Sequence, residues 1–463
     1  VSSILKREHS LVRALLDSEA PVKVAENLTA SQIAALRNLG EEGLALVEES
    51  QRYSTGSVAR HVVGYAGAGG EGLAGIEKSF DRELKGEYPG MLAVCVDATG
   101  RPVPGLGYRL MGLPSTDRRL DVVLTIDYRV QAVVERALDS ADAKKGPFKG
   151  AAVVVLDART GEILAMASRP GFDQSRVAAY IGDPRGQLLN RAVAAYAPGS
   201  VFKIVTAAAA IEGGHVGLGE RFLCTGEIEV GGATFACASR RTGGHGRIDF
   251  RAALAESCNV AVIEVSQRVG AESLVKYARL LGFGKPTSSG ISGESAGNVP
   301  EPGSIYQADL ANLSIGQWKT MVTPLQVAQA MTAVVNDGRL LPVSLVREVC
   351  RPSGLAVRTF RRPGSVQVFS ASTAAWLRRA LYQATRSGTA TAAWVEGAGS
   401  AGKTGSAETG RKTDSGNVLH AWFVGYAPLV SPKYICCVLI EEGGLGGDVA
   451  APIFRCIMEE LLR

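Results

Sequence analysis

No Cys-x-x-Cys pair occurs, and the eight cysteines are scattered from Cys95 to Cys456, so the chain is not framed as a small disulfide-rich module. Nor does any apolar run approach the roughly 18 residues needed to span a bilayer. The longest runs, around 151–156, 204–211 and 435–440, stop far short. The chain is therefore expected to be soluble as it stands. Its start at Val1, with neither an initiator Met nor a signal peptide, leads to the expectation that a membrane segment precedes it in the parent protein. A stripe of one charge sign is also missing. The net charge is +5, with Lys and Arg interspersed among acids, which gives nucleic-acid binding no support and fits an ordinary solvated surface. The 55 glycines follow no Gly-x-y period, which excludes a collagen-like chain and assigns them to turns and loops.

What is present is globular. Hydrophobic residues make up 46% of 463 and charged residues 21%, enough for a large core and more than one domain. Thr29 and Gln32 have the spacing of a capping box at the start of a short helix. Strands are expected at 91–96 and 119–126. Val130, Val133, Val134, Ala137 and Leu138 recur at helical spacing until Gly146 and Pro147 end the pattern. Two apolar runs, 150–156 and 162–168, flank Asp157-Ala-Arg-Thr-Gly161 as a hairpin. The middle reads as mostly helical, at 201–213, 250–269, 273–281, 324–336 and 372–385. Strands at 421–427 and 434–441 and a helix at 450–462 close the chain. An early hairpin and late strands suggest one sheet whose first and last strands meet over large insertions.

Three short motifs carry chemistry. Ser200-Val-Phe-Lys203 follows Pro198-Gly199 at the start of a buried helix, and a spacing of three puts hydroxyl and amine on one face. A serine needs a base to become a nucleophile, and a desolvated lysine can supply one. Ser273-Leu-Val-Lys276 has the same spacing but reads as a helix surface. Ser257-Cys-Asn259 cannot share a helix face, so on a loop its hydroxyl and amide could converge on the lysine and on a substrate amide. Ser415-Gly-Asn417 repeats that spacing among polar residues and reads as a turn. Lys403-Thr-Gly405-Ser406 suits an edge strand, where Lys403 offers charge, Thr404 a hydroxyl for a carboxylate, and Gly405 close approach to the backbone.

In this order the motifs are the signature of penicillin-binding proteins and serine beta-lactamases, and the chain resembles a class B penicillin-binding protein, a monofunctional peptidoglycan transpeptidase. The resemblance extends to Arg52-Tyr-Ser-Thr-Gly56, Ala59-Arg-His61 and Gly72-Leu-Ala-Gly-Ile-Glu77, which look like the family's pedestal. Asn190-Arg191, Gly316-Gln317 and Val322-Thr-Pro-Leu-Gln326 look like its transpeptidase domain. It implies an α+β fold: a transpeptidase domain over 119–463, with a mainly antiparallel sheet flanked by helices, after a truncated mixed α/β pedestal over 1–118. The family's membrane helix, the Arg-Gly-x-Ile-x-Asp-Arg-Asn-Gly-like stretch after it and C-terminal penicillin-binding and kinase-associated repeats have no counterpart in this sequence.

Carried over residue by residue, the resemblance makes Ser200 the acylated nucleophile and Lys203 its proton acceptor. Ser257 and Asn259 support proton transfer and bind the donor, Lys403 is catalytic, and Thr404, Gly405 and Ser406 bind substrate, with the backbone N–H groups of Ser200 and Ser406 as the oxyanion hole. The implied substrate is a stem peptide ending in D-Ala-D-Ala, and beta-lactams would acylate the same serine. No cofactor is expected. The implied partner is a membrane glycosyltransferase of the shape, elongation, division and sporulation family, and the implied location is the outer side of a bacterial membrane. A beta-lactamase or D,D-carboxypeptidase is the neighbouring enzyme reading, and a penicillin sensor or scaffold with little turnover is the non-enzymatic one. Cys224, Cys237, Cys258 and His245 lie between or within the motifs. Free thiols, a disulfide and a metal site, which some elongation-type relatives carry in a comparable region, all stay open, and the spacings lack compact ligand pairs. Cys436 and Cys437 are read as strand neighbours facing opposite sides.

Overall fold

The computed structural model describes all residues except 18–21, 26–27, 42, 48–51, 55, 68, 87–90, 95–96, 98, 100, 102, 104–107, 112–118, 218 and 414–415. Ser415, Cys95 and part of the 91–96 and 52–56 segments lie outside the described residues. The chain divides into two compact units, one of Val1–Ser54 with Tyr88–Ser115, the other of Thr55–Glu87 with Thr116–Arg463.

The smaller unit holds helices Ser2–Leu5, His9–Leu16 and Ala30–Leu39 and one antiparallel pair, Met91–Val94 with Tyr108–Met111. Thr29 caps the third helix as its sequence predicts. Its hydroxyl accepts from Gln32 N at 3.3 Å while Gln32 Oε1 accepts from Thr29 N at 2.9 Å.

The larger unit is built on one five-stranded antiparallel sheet. Its strands are β1 (Gly150–Asp157), β2 (Ile163–Arg169), β3 (Ala401–Thr413), β4 (Gly416–Ala427) and β5 (Tyr434–Glu441), in the spatial order β3-β4-β5-β1-β2. β5 beside β1, with Ile440 opposite Ala151, joins the two ends of the domain as expected. Alternation along the strands serves two cores. Ala152, Val154, Leu156, Trp422, Val424, Cys437 and Leu439 face one, and Ala151, Val153, Val155, Phe423, Cys436, Val438 and Ile440 the other. Cys436 and Cys437 thus do point to opposite sides, and β1 reads as an unbroken apolar run because both its faces are covered.

Helices cover both faces. α1 (Tyr128–Lys145) and the C-terminal α8 (Ala450–Leu461) share the second core, where Phe423 and Phe454 meet at 4.6 Å between ring centres. On the other face lie α2 (Lys203–Glu212), α3 (Phe250–Ala255), α4 (Asn259–Leu280), α5 (Gln307–Ser314), α6 (Pro324–Val335) and α7 (Ala371–Ser387). Each fully buried Val, Leu, Ile or Phe in these layers contributes about 1.5–3 kcal/mol of transfer free energy.

One expectation is corrected. The apolar pattern over 250–269 is not one helix, because α3 stops at Ala255 and α4 starts at Asn259, with Ser257 at φ 56° between them. Residues 221–249, where no element was expected, form an antiparallel pair, Arg221–Cys224 with Gly246–Asp249, that encloses a second pair, the hairpin Glu227–Val230 with Ala233–Ala236, and a 3-10 turn Ala238–Thr242. Four-residue strands are too short to show a period. The hairpin turns on Gly231-Gly232, both at positive φ, a backbone suited to glycine in a two-residue loop.

Candidate active site

The three motifs come from segments far apart in sequence; the Ser200 and Ser257 motifs sit at breaks between helical segments, and the Lys403 motif lies within the edge strand β3. Ser200 lies in a single 3-10 turn, Gly199–Phe202, that leads into α2. Gly199 has φ 54°, its N–H donates to Gly316 O at 2.8 Å, and a Cβ there would lie 2.9 Å from Ser406 O and 3.0 Å from Ala407 Cα. Only a residue without a side chain lets this turn rest against β3. Gly405 has the reciprocal role, since a Cβ on it would approach Val201 Cγ1 at 3.0 Å and Pro198 O at 3.1 Å. The Ser200 turn and the Lys-Thr-Gly edge strand are therefore in backbone-to-backbone contact.

Lys203, the first residue of α2, is completely buried. Its Nζ donates to Ser257 O at 2.7 Å, Ser257 Oγ at 3.3 Å and Asn259 Oδ1 at 2.5 Å. The left-handed backbone of Ser257 turns its carbonyl toward that amine, a conformation that costs a non-glycine residue about 1–3 kcal/mol and is typical of functional sites. Asn259 is fixed in turn by donating from Nδ2 to Ala236 O at 2.7 Å. Burial pulls the Lys203 amine down to about 8, against a smaller upward push from Cys237 and Cys258. Lys403, fully buried on β3, is driven well below its ordinary value by burial and by the Lys203 charge, with Glu256 opposing. Its Nζ donates to Thr404 O at 3.0 Å.

Thr404 brings in a residue the motifs did not announce. Its hydroxyl is 2.8 Å from that of Thr389, whose backbone N–H and hydroxyl both point at Ala255 O at 3.3 Å. Thr389 follows α7, fifteen residues before Thr404, and only the fold puts it there. Ser406 Oγ accepts from Gly446 N at 3.2 Å. The decoy pair, Ser273 and Lys276, lies along α4, with Lys276 exposed.

The structure also gathers the cysteine and histidine candidates. Cys224, Cys237, His245 and Cys258 bring their donor atoms within 4.8 Å of one another. Cys237 Sγ is 3.9 Å from Cys258 Sγ, far beyond a bonded S–S distance of about 2.05 Å, and 3.6 Å from His245 Nδ1. The Asn259 N–H donates to Cys237 Sγ at 3.4 Å, tying the cluster to the Ser257-Cys-Asn259 motif. The small antiparallel pairs of 221–249 create this convergence, which no linear spacing displays.

A serine on a glycine-backed turn, a buried depressed lysine and a polar edge strand define a serine acyl-transferase of the penicillin-binding type. The penicillin-binding protein transpeptidase domain matches residues 151–459. The chain is 35% identical over 440 residues to stage V sporulation protein D of Bacillus subtilis, covering 92% of this chain and 66% of that one. It is 34% identical over 446 residues to the probable peptidoglycan D,D-transpeptidase PenA of Neisseria meningitidis, with 94% and 71% covered. The crystal structure of penicillin-binding protein 3 of Mycobacterium tuberculosis with ampicillin superposes with a TM-score of 0.73 at 32% identity, covering 88% of this chain and 87% of that one. The chain belongs to the penicillin-binding protein transpeptidase family, in its class B branch, and its enzymatic class is that of the serine D,D-transpeptidases. It spans about two thirds of the length of these curated relatives.

Proposed function

We propose that this chain crosslinks peptidoglycan stem peptides through an acyl-enzyme on Ser200. The observation that carries the reading is the buried Lys203 amine, pulled down to about 8 and held against Ser257 and Asn259 one turn from the serine. Neutral Lys203 takes the Ser200 hydroxyl proton as Oγ attacks the penultimate D-Ala carbonyl. The new C–O bond forms, and the C–N bond to the terminal D-Ala breaks as the amine leaves with a proton returned through Lys203 and Ser257. An amine from a neighbouring stem then displaces Ser200. The N–H groups of Ser200 and Ser406 stabilise the oxyanion, a role supported by the contact of Gly199 with the Ser406 backbone. Thr404, oriented by Thr389, and Lys403 receive the terminal carboxylate, while Gly405 leaves room for the peptide beside the strand. Beta-lactams acylate the same oxygen.

The test supplies a donor ending in D-Ala-D-Ala with an excess of an amino-acid acceptor and follows products by mass. Transfer to the amine with release of D-Ala supports transpeptidation. Release into water alone moves the chain to a carboxypeptidase, and rapid beta-lactam hydrolysis to a beta-lactamase. A stable acyl-enzyme without turnover makes it a sensor. The same reading assigns 1–118 as a non-catalytic pedestal, locates the catalytic domain outside a bacterial membrane and pairs it with a membrane glycosyltransferase. Support comes from the likeness to stage V sporulation protein D and to the probable peptidoglycan D,D-transpeptidase PenA.

For Cys224, Cys237, His245 and Cys258 the donor distances favour a structural zinc site over a disulfide. Zn–S bonds near 2.3 Å and Zn–N bonds near 2.0 Å in a tetrahedron put neighbouring donors roughly 3.5–3.8 Å apart. The observed 3.9 Å and 3.6 Å fit that spacing. Four protein donors close the coordination shell, so the ion would brace the Ser257–Asn259 turn and take no part in the acyl transfer.

A further inference from the structure

The segment that delivers Ser200 is anchored from behind by residues outside the three motifs. Tyr196, four residues before the nucleophile, pairs its backbone with Val322, N to O at 2.9 Å and O to N at 2.8 Å. Its phenol donates to Glu441 Oε1 at 2.7 Å, and the same carboxylate oxygen lies 3.0 Å from Arg191 Nε. Arg191 is buried, with its Nη atoms donating to Gly186 O and Arg185 O at 2.9 and 2.8 Å. Gly150, opposite Glu441 on β1, leaves the space for this ion pair, because a Cβ there would lie 2.1 Å from Glu441 Oε2 and 2.2 Å from Arg191 Nε. Burial and the Glu441 charge push the Tyr196 phenol far above its ordinary value, so it remains a donor.

The node faces the site through β4. His420 and Trp422 set their rings edge-on to Tyr196 at 5.5 and 6.3 Å, and Trp422 Nε1 donates to Ala197 O at 3.1 Å. The same two residues stand opposite Ala407 and Gly405 of β3. One surface of β4 therefore touches both the approach to Ser200 and the strand that carries Lys403 and Ser406. A carboxylate mostly withdrawn from water at the end of β5 needs its partners in place, and here those partners are the two residues that set where the 196–200 segment enters the site.

We propose that Tyr196 and Glu441 are positioning residues for acylation: their hydrogen bond, backed by Arg191, fixes the Pro198–Ser200 turn over the Gly405–Ser406 edge and so holds Ser200 at its working distance from the Ser406 N–H. The inference rests on Ser200 being the acylated nucleophile. A misplacement on the order of 1 Å is enough to cost about a hundredfold in rate, whereas one phenolic hydroxyl contributes little to global stability.

The test measures beta-lactam acylation by stopped-flow and intact mass, separating the acylation rate constant at saturation from the dissociation constant. Tyr196→Phe should slow acylation about tenfold or more, with the dissociation constant changed less than about twofold and the melting midpoint moved by no more than a few degrees. Glu441→Gln keeps an acceptor for the phenol and should stay within about threefold of the parent, and the double variant should be no slower than Tyr196→Phe alone. Unchanged acylation in Tyr196→Phe, or a loss confined to the dissociation constant or the melting midpoint, overturns the clamp while leaving the function standing. A parent that is acylated elsewhere than Ser200 overturns both.

Discussion

Lys203 Nζ lies 2.5 Å from Asn259 Oδ1 and 2.7 Å from Ser257 O, with all of the lysine buried beneath them. The amine is thereby poised between two needs. Burial, the larger influence, favours the neutral form, and the nearby Cys237 and Cys258 favour the charged one.

The first prediction follows from that balance. Acylation by a penicillin should rise with pH and level off above about 8, because only neutral Lys203 accepts the serine proton. Stability carries the same sign. The unfolded lysine binds a proton up to its ordinary value of 10.5, so between about 8 and 10.5 the unfolded state holds more protons and Lys203 makes the fold relatively more stable as pH rises. Lys203→Arg, charged at every accessible pH, should lose about 10²- to 10⁴-fold in acylation and show no rise near pH 8. A pH-rate profile of both proteins checks this.

Thr389 should matter to ligands that carry a carboxylate. Thr389→Val keeps the shape and removes the hydroxyl that orients Thr404. Losing a hydrogen bond of about 1 kcal/mol should weaken capture of carboxylate-bearing beta-lactams roughly fivefold. The corresponding carboxylate esters should be unaffected, which a comparison of dissociation constants for acid and ester will check.

Gly199→Ala should damage stability and activity together. The left-handed backbone costs an L-residue roughly 1–2 kcal/mol, and the new Cβ, 2.9 Å from Ser406 O, pushes β3 from the nucleophile turn. A melting midpoint several degrees lower and acylation reduced by about 10² or more are expected from thermal unfolding and labelling kinetics.

The zinc reading predicts about one ion per chain in metal analysis of protein prepared without chelator. Cobalt in its place should give the absorption of a tetrahedral thiolate site, abolished by Cys224→Ser with His245→Ala. Oxidation of Cys237 and Cys258 to a disulfide in freshly isolated protein, seen as a loss of two hydrogens in intact mass, would contradict it.

The catalytic motifs were legible because their chemistry is local. Ser200 and Lys203 are one turn apart, and Lys403, Thr404 and Gly405 are consecutive; Ser273 and Lys276 share the first spacing, so it was the ordered set of motifs, with the resemblance it carries, that singled these residues out. The sheet was legible for a similar reason, since β1 and β5 are apolar enough to be recognised singly and the structure pairs them. Thr389 was not legible as a site, and Cys224, Cys237, Cys258 and His245 were named as candidates whose spacing left thiols, disulfide and metal all open. Their partners are supplied by the return of α7 toward β3 and by antiparallel pairs of four-residue strands too short to show a period. The Ser257 turn was half legible. Its i and i+2 spacing argued for a loop, yet the apolar pattern ran through it, because α3 and α4 bury similar faces on either side of one left-handed residue.

The most direct measurement is covalent labelling with a fluorescent penicillin, parent against Ser200→Ala, read by denaturing gel and by intact mass with peptide mapping. The account predicts one slowly decaying adduct on the Ser200 peptide of the parent and none on the variant. Label on a folded Ser200→Ala protein, or none on the folded parent, would contradict it.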